Sequence, residues 1–145
     1  MITYKLIEIQ EKGLSVSNPI LEQPSQQFLL GWDVDVNIKY PQKGQLDLTI
    51  RASAVQEDNE DRRPFASIVV SHCFEVEGIA EQHPQQASLE DRHLLATLIG
   101  VSLGTIRGLM YARTVAILGK NVFMPIMNPL ELLNNAFPLK SVEEG

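Results

Sequence analysis

The stretch from Ser88 to Leu118 reads as one helix of roughly thirty residues, and everything else in the chain has to accommodate it. Ser88 is a good N-cap with Asp91 at the capping-box position, and Gly119 supplies a left-handed stop. Such a helix spans about 45 Å, comparable with the whole diameter expected of a monomer this size, so it wants neighbours. Leu94, Leu95, Leu98, Ile99, Val101, Leu103, Ile106, Leu109 and Met110 make it apolar nearly all round, the mark of burial on several sides. Ala96, Gly100, Gly104, Gly108, Ala112 and Ala116 put a small residue at every fourth position. Each glycine costs about 1 kcal/mol relative to alanine inside a helix. Three of them imply a close helix-helix or helix-sheet approach, and Gly100, Gly104 and Gly108 are assigned to an oligomer interface. A membrane span does not fit, because only Leu94 to Ile106 is free of charge, thirteen residues where about twenty are needed.

The first two thirds of the chain carry strand signals. Tyr4 to Gln10 alternates, with Tyr4, Leu6 and Glu8 facing one way and Lys5, Ile7 and Ile9 the other. Ser17 to Gln27 is a loop rich in Pro, Ser, Asn and Gln. A second strand runs from about Trp32 to Tyr40, with Trp32, Val34, Val36 and Ile38 opposed to Asp33, Asp35, Asn37 and Lys39. After a turn at Pro41 to Gly44, Leu46, Leu48, Ile50 and Ala52 alternate with polar residues in a third strand. The acidic segment Glu57 to Asp61, closed by Arg62, Arg63 and Pro64, is a solvated hairpin tip. The fourth strand, Phe65 to Glu77, is apolar on both faces: Ala66, Ile68, Val70, Phe74 and Val76 on one, Phe65, Val69 and Cys73 on the other. Such a strand must be covered twice. The long helix covers one side and a second subunit the other, with Ala66, Ile68 and Val70 placed at the subunit interface. Strands first and helices last favour an α+β fold over alternating βαβ units.

Ala80 to Ala87 is a polar linker. Beyond Gly119, the connection Lys120 to Met127 holds many large apolar residues, and because buried loops leave backbone groups hard to satisfy, it is expected to present Val122, Phe123, Met124, Ile126 and Met127 at a surface. Asn128 as N-cap, Pro129 at N1 and Glu131 at N3 start a short last helix with Leu130, Leu133 and Phe137 at helical spacing.

The 145 residues suit a single domain, 1–145, and 44% hydrophobic with 21% charged residues is ordinary for a folded chain. A net charge of -6 without a basic stripe argues against nucleic acid. One cysteine cannot form an intrachain disulfide, and the amino terminus lacks a signal-peptide core, so a cytoplasmic location is expected. His72 and Cys73 are adjacent in a strand and point to opposite faces, so they form no dyad. His83 reads as a loop residue and His93 as a helix-surface residue. The glycines inside the helix match no phosphate loop. No catalytic residue, metal ligand set or cofactor is assigned, and the chain is not expected to be an enzyme.

Leu14-Ser15-Val16 with Pro19, Phe28 before Gly31-Trp32, Phe74 with Val76, Gly78 and Ile79, Tyr111-Ala112-Arg113, and the series Gly119, Phe123, Pro125, Asn128-Pro129 and Leu132 resemble, in order and spacing, the SecB family of protein-export chaperones. The resemblance implies four-stranded antiparallel sheets each packed by one long and one short C-terminal helix, assembled as a homotetramer that binds unfolded polypeptide in apolar grooves without ATP. On matching positions Phe28, Trp32, Phe123 and Phe137 would line such a groove, with Met124, Ile126, Met127, Leu130 and Leu133 nearby. Aromatic anchors bury large areas and methionine adapts to many sequences, which suits a promiscuous binder. The places matching the family's acidic contacts with the motor SecA are Gly13, Ser17 and Ser67, and the tail has neither Cys nor His. The resemblance therefore carries the client groove and a role in protein transport without supporting SecA docking. The alternatives are a SecB-like chaperone of one specific client, such as an antitoxin, and an oligomeric scaffold without client binding.

Overall fold

The computed structural model describes residues 3–17, 30–57, 62–119, 122 and 124–138. Four strands, β1 (Thr3–Val16), β2 (Leu30–Lys39), β3 (Gln45–Gln56) and β4 (Pro64–Glu77), precede helix α1 (Leu89–Leu118) and the short helix α2 (Pro129–Ala136). The strands form one antiparallel sheet in the order β1-β4-β3-β2, so β1 and β2 are its two edges. This is the expected α+β arrangement. The acidic tip falls largely, and the loop after β1 almost wholly, outside the described residues.

Register builds the core. Leu46 lies opposite Phe74, Leu48 opposite His72, Ile50 opposite Val70 and Ala52 opposite Ile68, while Trp32, Val34, Val36 and Ile38 of β2 face Ala54, Ala52, Ile50 and Leu48. Because successive side chains alternate across a strand, these residues share one face. Leu95, Leu98, Ile99, Leu103, Ile106 and Met110 of α1 cover it. Ala66, Ile68 and Val70 belong to this covered face and are 1%, 0% and 0% exposed. Their assignment to a subunit interface is corrected: the chain's own helix buries them. The other face of β4 is also less apolar than its alternation suggests. Ser67 shares a 2.9 Å hydroxyl contact with Ser53, and Ser71 accepts from Thr49 at 3.4 Å. Phe65, expected on that face, is packed into the core instead.

β1 departs from simple alternation. Its pairing with β4 slips between Leu6 and Glu8 and again between Glu11 and Gly13. Each bulge shifts later side chains by one position, to the opposite face. Ile9, opposite His72, thus joins Tyr4 and Leu6 on the helix side, and Glu8 moves to the far side opposite Cys73. That reverses the expected placing of Glu8 and Ile9. It also points Glu11 at α1, where Arg113 meets it at 2.7 Å and holds its carboxyl below the usual range by hydrogen bond and charge.

The helix ends are as the sequence suggests. Ser88 Oγ accepts from the Asp91 amide at 3.2 Å, Gly119 takes φ 73°, and Asn128 Oδ1 accepts from the Leu130 and Glu131 amides. By length and composition α1 would pass for a membrane span, but half of that window is buried inside the protein, as in a core helix.

His72 is fully buried and stacked on Phe74 at 6.2 Å, and neither ring nitrogen has a hydrogen-bond partner among the described residues. Burial holds its pKa below the ordinary value, so the folded chain keeps the neutral ring. An unfolded ring takes up its proton near pH 6.5. Below about pH 6.5 the unfolded state therefore binds more protons than the folded one; His72 costs nothing above that pH and lowers stability as pH falls from there toward the depressed folded value. Denaturant melts of the wild type should lose more stability between about pH 7.5 and pH 5.5 than those of His72→Leu. Equal losses would contradict this account.

Candidate functional site

An opening of about 650 Å³ lies between β2 and α2, lined by Trp32, Asp33, Val34 and Asp35 on one side and Ile126, Met127, Asn128, Glu131, Leu132 and Asn135 on the other. Its walls are set by contacts that α1 makes. Arg92 is 1% exposed, and its guanidinium donates to the Pro84 carbonyl at 2.8 Å, Asn134 Oδ1 at 2.7 Å and the Phe137 carbonyl at 2.9 Å. One buried cation thus fixes the end of α2 to α1. At the other end, a side chain on Gly100 would begin 3.2 Å from Pro129 Cγ, so glycine is what lets the start of α2 sit this close.

The connection before α2 is held the same way. Thr114 Oγ1 accepts from the Val122 amide at 3.2 Å, and Arg107 donates to the Met124 carbonyl at 3.1 Å. These bonds satisfy backbone groups that burial would otherwise leave orphaned. Val122 and Met124 are accordingly buried, against the expectation that they face outward, while Ile126 is 83% exposed and Met127 half-buried.

Of the residues expected to bind polypeptide, Trp32, Ile126 and Met127 line the groove. Met124 and Leu133 are sealed in the core, which corrects their placing at the groove surface. Leu130 and Phe137 are half-buried against the core, with Phe137 edge-on to His83 at 5.5 Å, and neither lines the groove. Phe28 and Phe123 lie outside the described residues. Of the expected interface glycines, Gly100 packs on the chain's own Pro129, a correction of its role, while Gly104 and Gly108 are exposed, with no described atom within 4 Å of where a Cβ would stand.

Asp33, Asp35, Glu131 and Asn135 were not singled out by sequence reasoning. The Asp33-Val34-Asp35 alternation reads as a solvated face, and only the strand order, with β2 at an edge beside α2, turns it into a groove wall. Arg92 likewise carries no local signal of its role in the sequence. A buried arginine leaves no mark in composition.

His72 and Cys73 point to opposite faces, and burial, with the Asp47 hydrogen bond, pushes the Cys73 thiol up to about 11. Among the described residues no group of three His, Cys, Asp or Glu side chains is placed to hold a metal ion.

No protein-family model matches the chain, and no curated protein matches it by sequence. Among solved structures, the chain is similar to the SecB-like chaperone Rv1957 of Mycobacterium tuberculosis, determined in complex with a ChAD peptide from the antitoxin Rv1956 HigA1. The TM-score is 0.60 at 11% identity, over 86% of this chain and 90% of that one. A protein of unknown function from Streptococcus agalactiae superposes with a TM-score of 0.47 at 14% identity, over 87% of this chain and 99% of that one. The first likeness shows that the fold is SecB-like.

Proposed function

We propose that this chain is an ATP-independent chaperone of the SecB-like kind, holding segments of non-native polypeptide in the groove between β2 and α2. The observation that carries the reading is Ile126: a large apolar side chain left 83% exposed beside Trp32 and Met127, at the mouth of an opening built by its own connection. Apolar anchors set in a recess are what a client segment needs, and methionine tolerates many partners. The SecB-like neighbour solved with an antitoxin peptide supports client binding and makes a specific client, an antitoxin among them, the nearest variant of this proposal. A role in export is a further variant; Gly13, Ser17 and Ser67, where SecA contacts would be acidic, give it no support. The proposed setting is the cytoplasm, and the proposed activity needs no catalysis. The test is a refolding client with and without a stoichiometric excess of the protein. Slower aggregation is expected, and equal rates would end the proposal.

The same reading has the chain act as a homo-oligomer, a tetramer by the family resemblance. Tyr4, Leu6, Ile9 and Leu14 of β1 and Val101 and Val115 of α1 leave apolar surface exposed, and on α1 helical spacing puts Val101 and Val115 on the side that carries Gly104 and Gly108. Light scattering should return a multiple of 16.2 kDa. Gly104→Leu meets none of the described residues at the Cβ position, so it should leave the fold intact while reducing the assembled mass. A wild-type mass of one chain, or an unchanged Gly104→Leu assembly, would contradict this.

A further inference from the structure

Among the described residues, the buried side-chain polar atoms that lack a hydrogen-bond partner are His72 Nδ1, His72 Nε2 and Ser102 Oγ. Both residues are 0% exposed, and they belong to facing surfaces. His72 lies on the side of β4 that α1 covers, with Ile9 opposite it on β1 and Leu48 opposite it on β3. Ser102 stands on the face of α1 that carries Leu95, Leu98, Ile99 and Ile106, all packed into the core. Its hydroxyl also behaves unlike others in the same helix. Thr97 and Thr114 donate theirs to the carbonyls four residues earlier, His93 at 3.0 Å and Met110 at 2.7 Å, whereas Ser102 makes no such bond to the described residues. A donor and an acceptor buried apart on two facing elements cost stability, and an arrangement that joins them recovers it.

The helices are attached to each other and to the sheet by different means. α2 and the connection before it hang from α1 by directional bonds: Arg92 donates to Asn134 Oδ1 and the Phe137 carbonyl, Arg107 donates to the Met124 carbonyl, and Thr114 accepts from the Val122 amide. α1 meets the sheet through apolar packing, with Arg113 and Glu11 paired at the exposed rim. Apolar packing has no preferred direction, and packed helices slide over their neighbours by small shears. The two helices therefore make one body and the sheet another.

We propose that the helical body has two seats on the sheet, and that in the second the Ser102 hydroxyl donates to a bare ring nitrogen of His72. A neutral imidazole keeps one nitrogen free to accept, so the pairing needs no change of charge. Close-packed layers are bistable and do not deform continuously, which makes the movement a step between two arrangements. Because α2 travels with α1 while β2 stays with the sheet, the width of the opening between them follows the seat. The device goes beyond client binding and operates whatever that opening holds.

The test is methyl relaxation dispersion on the full-length protein, in the assembly in which it purifies. Leu98, Ile99 and Ile106 of α1 and Leu132 and Leu133 of α2 should report one microsecond-to-millisecond exchange, with a common rate and a common minor population. Ser102→Ala removes an unpartnered hydroxyl and favours helix, so the fold should hold while the minor population falls about fivefold, the worth of an ordinary hydrogen bond. His72→Leu should give the same fall, and the double variant should fall no further than either single one. Absence of exchange in the wild type overturns the proposal. Exchange confined to α2 does so too, since α2 would then move without α1. A minor population that Ser102→Ala leaves unchanged, or that falls further in the double variant, overturns the pairing that defines the second seat.

Discussion

Arg92→Ala should detach α2 and cost about 3 kcal/mol or more of stability. The side chain is buried, carries its charge with burial lowering its pKa, and is held by three oxygen acceptors on two segments, the Pro84 turn and the end of α2. Removing it leaves the Asn134 and Phe137 oxygens without their donor and opens a void, and the loss of one member of a buried charged network typically costs about 3–5 kcal/mol. Because the groove is half built from α2, client binding should fall with it. Arg92→Lys should recover little, since an ammonium cannot reproduce the guanidinium's fixed fork toward three acceptors. Denaturant melts with hydrogen exchange on residues 129–137 check this. A variant with unchanged melting and unchanged protection in α2 would show that Arg92 does not hold the groove together.

The second large effect is on binding. Trp32→Ala should weaken an unfolded client by about 2 kcal/mol, roughly thirtyfold, as loss of a central aromatic anchor commonly does. Trp32 also packs against the core, so part of any change could arise from the fold. Ile126→Asp separates the two: the side chain is almost wholly in solvent, so stability should hold while client affinity drops. Binding by both variants at wild-type strength would place the client elsewhere.

Much of the architecture is legible in the residues because it rests on local chemistry. Ser88, Gly119, Asn128 and Pro129 act through backbone groups within a few positions, and each acts as its type predicts. The alternation of β2 and β3 likewise reports which side chains share a face. What fails is long-range. The bulges in β1 that turn Ile9 toward α1 have no local signature, since Leu6-Ile7-Glu8-Ile9 reads as plain alternation. Ala66, Ile68 and Val70 are apolar wherever they point, and only packing shows that α1 covers them. The groove suffered most, because Met124 and Leu133 look the same in a core as in a binding surface, and Asp35 becomes part of a site only once β2 is known to be an edge. Gly100 and Gly104 share a sequence pattern yet meet Pro129 and open solvent respectively.

Trp32 is the only tryptophan and stands in the groove wall, so its fluorescence reports the site directly. Titration with a tryptophan-free unfolded polypeptide should give a saturable blue shift as client displaces water from the ring, and Ile126→Asp should move that titration to higher concentration. An emission spectrum that stays constant while the client remains soluble would mean that whatever protects it does so away from β2 and α2.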